Sequence, residues 1–140
     1  MPGCVLRVGG AQFAPDLFLA ASTFRAYQIW HCGEPESSVG RRSKIRHESS
    51  GFCCDVSSVD GNLHDQVEDA IVFLTHYHEE FIKLAKDPTV EDCQLDFGFD
   101  CRLGQDIAVQ VEFLPVEFLR LVGELSVAVV LSIYPPLKVV

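Results

Sequence analysis

A chain of 140 residues, 48% hydrophobic and 22% charged, is long enough for one domain and too apolar to remain disordered. Its net charge of −9 sets it against phosphate backbones and anionic lipid heads, which argues against general nucleic-acid or membrane-surface binding. The longest unbroken apolar run, Val127 to Leu131, is far too short to cross a bilayer.

Residues 4–8 predict a first strand, ending at Gly9-Gly10. Ala14-Pro15-Asp16 then opens a short helix to about Phe24, with proline in the first turn, where its missing N–H costs nothing. Residues 26–32, with Tyr27, Ile29 and Trp30, suit a second strand. Residues 33–50 break the pattern with two Gly, a Pro, five Ser and four of the 11 Lys and Arg side chains. A loop that long in a compact domain usually carries function. Residues 51–58 resume as a third strand, and Val59-Asp60-Gly61 turns the chain.

Asn62 to Lys86 is the strongest signal. Val67, Ile71, Leu74, His78, Phe81 and Ala85 recur at the spacing of one helix face. Asn62 is placed to cap the N-terminus, with Asp65 and Asp69 near the positive end of the dipole. Asp87-Pro88 stops the helix, because a residue before proline avoids the α region. Cys93, Leu95, Phe97, Phe99 and Cys101 then alternate with polar residues, and Val109, Val111 and Phe113 do so after a turn at residues 103–106. The two stretches predict an antiparallel hairpin. Pro115 starts a short helix closed by Gly123, and a last strand over about 125–134, apolar on nearly both faces, is expected in the middle of the sheet.

These elements predict one α+β domain over residues 1–140: a mainly antiparallel sheet of about six strands, one long helix across a face and two short helices, in an order related to the ferredoxin-like β-α-β-β-α-β unit. Phe13-x-Pro15-x-x-Phe18-Leu19 and Phe113-x-Pro115-x-x-Phe118-Leu119 echo one another, a weak sign of duplication. The six cysteines lack metal-type spacing, and residues 1–24 lack the basic start and apolar run of a secretory signal. They are expected to be reduced, buried thiols in a cytoplasmic protein.

Candidate binding residues concentrate in the polar loop. Arg41, Arg42, Lys44, Arg46 and His47 form one basic segment on a body that otherwise holds 7 basic against 20 acidic residues. Arginine forks can take a phosphate or carboxylate, or dock an acidic partner, whereas no aromatic residues interleave for base stacking. His31 adjoins this group. His76 and His78 point to opposite sides of the helix, so no metal site is expected. Vicinal Cys53-Cys54 puts one thiol on each strand face, and a Cys54 pair with His31 or His47 is the nucleophilic alternative. Asp96, Asp100 and Glu112 lie on polar strand faces, where solubility explains them as well as acid–base work. No phosphate loop or dinucleotide fingerprint is present, and no cofactor is expected.

The opening strand with its helix near Pro15-Asp16, the Gly33-Glu34 start of a polar loop, Ser50-Gly51-Phe52 leading into a strand, and the C-terminal helix and strand ending at Ile133-Tyr134 together resemble an uncharacterised bacterial family, the domain of unknown function numbered four-two-seven-nine. Where that family's Ser-x-Trp signature has Trp, this chain has Phe52. The resemblance implies a small cytoplasmic protein and supplies no catalytic residues. The favoured expectation is a non-enzymatic binding or protein-interaction module, working through the sheet face near Asp96 and Asp100 and the 33–50 loop. Its partner would be a protein or a small anionic ligand, with room for a homodimer. A small enzyme using His and Cys near the loop is the alternative.

Overall fold

The computed structural model describes residues 3–36, 45–104 and 106–135. Five strands form one mixed sheet in the order β2-β3-β1-β4-β5. They are β1 (Cys4–Gly10), β2 (Gln28–Trp30), β3 (Ser50–Ser57), β4 (Asp92–Asp100) and β5 (Ala128–Tyr134). The helices are α1 (Pro15–Ala20), α2 (Leu63–His76), α3 (His78–Lys86) and α4 (Val116–Glu124). Through β4 the succession is the expected β-α-β-β-α-β, with its last helix in two pieces. The first four strands pair antiparallel, and β5 joins β4 parallel after the α4 crossover. No helix among the described residues is long and apolar enough to cross a membrane.

Strand alternation builds the core. Cys4, Leu6 and Val8 of β1, Phe52 and Cys54 of β3, and Leu95, Phe97 and Phe99 of β4 all point to one face and are almost fully buried. The helices, with Phe13 and Phe24 of the coil flanking α1, close that face with Leu63, Val67, Leu74, Phe81, Phe118 and Val122, and the whole is one continuous cluster. At about 1.5–3 kcal/mol for each large side chain removed from water, this layer is what holds the sheet and helices together.

Asn62 caps α2 as expected, its side chain accepting from the Asp65 N–H at 3.3 Å. The predicted 62–86 helix is interrupted at Tyr77, where φ −100 and ψ 24 leave the helical range. Neither Pro nor Gly is there. The Tyr77 ring is gripped by Phe24 and Phe73, with centroids 4.8 and 4.6 Å away. The bend lets both Leu74 and Phe81 reach the core, and it turns His78 and Ala85 out of the predicted stripe. Gln66 takes a place no apolar pattern announces. It is fully buried, and its amide donates to the carbonyls of Val59 and Gly98 at 2.9 and 2.7 Å.

The predicted 93–113 hairpin does not form. Both edges of β4 are occupied, by β1 on one side and β5 on the other, so residues 107–113 have no strand edge to join and run as coil. The last strand is at the sheet edge rather than its middle. Gly123 does not end α4, which runs to Glu124. Ser126 takes the left-handed turn at φ 57, and the Val127 N–H returns to the Val122 carbonyl at 2.9 Å.

Candidate functional site

The part of the 33–50 segment that is described forms an arm continuing the β2–β3 hairpin. Gly33 and His47 exchange backbone bonds through Gly33 N–H to the His47 carbonyl and His47 N–H to the Glu34 carbonyl, and Pro35 bridges Arg46. Arg46 donates to the Gly33 carbonyl at 3.2 Å, so its guanidinium fastens the arm. The His47 ring packs beside Trp30. His31 lies at the base of the arm, its Nε2 2.5 Å from Asp16 and its Nδ1 3.2 Å from Glu34. The hydrogen bond that His31 donates to Asp16 is the main cause that holds the imidazole above its ordinary pKa. Arg41, Arg42 and Lys44 lie outside the described residues. His31, Arg46 and His47 are thus brought into one neighbourhood, each with a partner inside the arm.

Next to the arm, the uncovered sheet face carries Trp30, whose indole lies across Gly9 and Gly51, where a Cβ would collide with the ring. Its Nε1 donates to Ser49 Oγ at 3.3 Å. The Arg7 guanidinium stands 4.5 Å over the ring, a cation–π pair, and makes no ion pair among the described residues. A dent of about 170 Å³ lies here among Arg7, Trp30, Ser49, Glu91 and Asp92. Burial raises the Asp92 pKa, and Arg7 draws it partly back. Asp96, on the same face, accepts a bond from Ser132 at 2.6 Å.

The thiols do not assemble a nucleophile. Cys54 points into the core and Cys53 lies buried on the other face, where one of the pair was expected to be open. Burial pushes Cys54 up to about 12 and raises Cys53, so both are protonated near neutrality. No hydrogen bond joins Cys54 to His31 or His47. All six cysteines are unpaired, and Cys32, against expectation, is exposed.

A cleft of about 590 Å³ opens where β3 and β4 end and α2 begins. Asp60, Gly61, Asn62, His64, Asp100, Arg102, Val111, Glu112 and Phe113 line it. Gly61 needs its freedom: φ is +72, and a Cβ there would meet the Asp100 carboxylate at 2.5 Å. Residues 107–113 form one wall, and their alternation survives without a strand. Glu112 turns inward to accept from Arg102 at 2.8 Å, and Gln110 donates to the Asp100 carbonyl at 3.1 Å and to Glu112 at 2.9 Å. That leaves Val109, Val111 and Phe113 outward, 71, 77 and 71% exposed, with Val116 beyond them. An adjoining groove of about 230 Å³ runs between Phe113, Pro115 and Glu117 on one side and His64, Val67, Glu68 and Ile71 of α2 on the other.

Sequence reasoning missed this surface because it assigned those apolar residues to the packed side of a hairpin. The outward set was nonetheless visible as the odd members of an alternating run. His64, Asp65 and Glu68 can each bring one ligand atom within 4.8 Å of the others. All three are exposed on an acidic helix face, where such groupings are common without a metal. No family model, no curated protein and no solved structure matches the chain.

Proposed function

We propose that the protein is a non-enzymatic interaction module that holds a protein partner on the apolar loop 107–113 and the groove beside α2. One observation carries this reading: Val109, Val111 and Phe113 are displayed by a loop whose inner residues are tied down by Arg102, Asp100 and Glu112. Apolar side chains that stay in water cost free energy, and holding them in fixed positions makes a docking face. Asp60, Asp100, Glu68 and Glu117 rim that face, so the fitting partner is an amphipathic segment with basic flanks. The enzyme alternative draws less support from the geometry, since the Cys53 and Cys54 thiols are buried and protonated and His31 is engaged by carboxylates. Kinship with the domain-of-unknown-function family belongs to the same reading and rests on the local features around Pro15-Asp16, Gly33-Glu34 and Ser50-Gly51-Phe52.

A synthetic helical peptide of alternating Leu and Lys faces is the direct probe, with a Leu/Glu peptide as the charge-reversed control. The Lys peptide is expected to shift the amide resonances of residues 107–116 and of the first turns of α2. Val111→Asp with Phe113→Asp is expected to weaken binding by about a hundredfold, the loss of two buried anchors. Equal binding of both peptides, or binding unaffected by the double substitution, overturns the reading.

A further inference from the structure

In β5, composition and position disagree. Ala128–Tyr134 is apolar on both faces, as in strands flanked on both sides, yet its one sheet neighbour among the described residues is β4. The far edge carries none of the usual protection: no lysine, no internal proline, no bulge and no charge in seven residues. Leu131, Ile133 and Tyr134 are 45, 63 and 46% exposed.

Helix α4 continues this surface. At about 100° per residue, Leu119 and Gly123 share a side of the helix away from Glu117. Glu117 faces α2 across the groove it shares with Val67 and Ile71, so Leu119 looks the other way, toward the edge of β5 that no other described strand pairs with. Leu119 is exposed, and a Cβ on Gly123 would meet nothing, which leaves room for a second helix to approach.

We propose that β5 pairs antiparallel with β5 of a second copy about a two-fold axis near Leu131. The pairing joins two five-stranded sheets into one and sets α4 beside its counterpart. An antiparallel strand pair is self-complementary about a two-fold, so one free edge serves both partners. Two bodies of net charge −9 repel, and an uncharged strand lets them meet without like charges opposed. A specific interface buries roughly 1,000 Å² or more in all, and the outer side of α4 extends the strand contact toward that size. The loop 107–113 is a different surface, so this dimer stands or falls independently of the proposed partner site.

Sedimentation of the full chain is expected to give twice the 15.5 kDa chain mass. Leu131→Lys sets two ammonium groups opposite each other at the axis and is expected to weaken association by about a hundredfold. Ile133→Lys, at a more exposed position, is expected to do the same, with an unchanged circular dichroism spectrum showing that the fold persists. Val111→Asp is expected to remain dimeric. A wild-type chain that sediments at 15.5 kDa at every concentration, or folded Lys variants that still dimerise, overturns the proposal.

Discussion

His31 shows how a residue's chemistry is set by neighbours distant in sequence. Asp16 lies fifteen positions earlier, at the start of α1, and reaches the imidazole because α1 and the end of β2 meet at one corner. The hydrogen bond donated to Asp16 raises the His31 pKa above its unfolded value. The stability it contributes is therefore fully present below the unfolded pKa and is lost as pH rises through the folded one. Titration of the ring followed by NMR is expected to give a pKa above the ordinary histidine value. Asp16→Asn is expected to move it back down, with Glu34 retaining a smaller share; an unchanged midpoint would show that Asp16 is not the cause. Basic residues at 41–46 and His31 were legible as a candidate group from composition alone. Arg46 and His47 instead serve the arm's own backbone and the Trp30 ring, because a two-stranded arm has few other donors to hold it.

At the scale of elements, the helix beginning at Asn62 was readable because its cap, dipole residues and apolar period agree over several turns. Its break at Tyr77 was not, since no Pro or Gly marks it and the ring packed against Tyr77 there, Phe24, comes from the stretch after α1, far away in sequence. Gln66 is the sharpest test of how α2 is seated. Its amide ties α2 to the turn at Val59 and to β4 at Gly98. Gln66→Leu keeps the volume, leaves the buried Gly98 carbonyl and the half-buried Val59 carbonyl without this donor, and removes the unpartnered Gln66 Oε1, for a net cost of about 1–3 kcal/mol. Urea unfolding is expected to show that loss, together with faster amide exchange in residues 58–66. A change below about 0.5 kcal/mol would mean that water replaces the amide.

For the whole molecule, surface charge and surface greasiness divide the work. The acidic body discourages contact with most anions, and the apolar loop and the uncharged β5 edge are the surfaces we propose for a partner and for a second copy. If acidic residues rim the partner groove as Asp60, Glu68 and Glu117 do, binding of the Lys/Leu peptide should weaken as salt is raised, because exposed charges are screened beyond about 10 Å at 0.1 M. Association through β5 should persist under the same change or strengthen slightly, since it opposes two like-charged bodies. Measuring both against ionic strength separates the two surfaces in one protein.

Periodicity, caps and proline placement were enough to determine that this is an α+β chain, where α2 begins, where α3 ends, and which face of β4 turns inward. These are local properties, written in residues a few positions apart. Strand neighbours and the fate of residues 107–113 depend on competition for one resource, the two edges of β4. Parallel pairing with β5 through the α4 crossover takes the edge that the apparent hairpin needed, so an alternating segment remains outside and a strand of interior composition ends at the margin. Only the assembled sheet decides that competition, and with it where the molecule presents apolar surface to others.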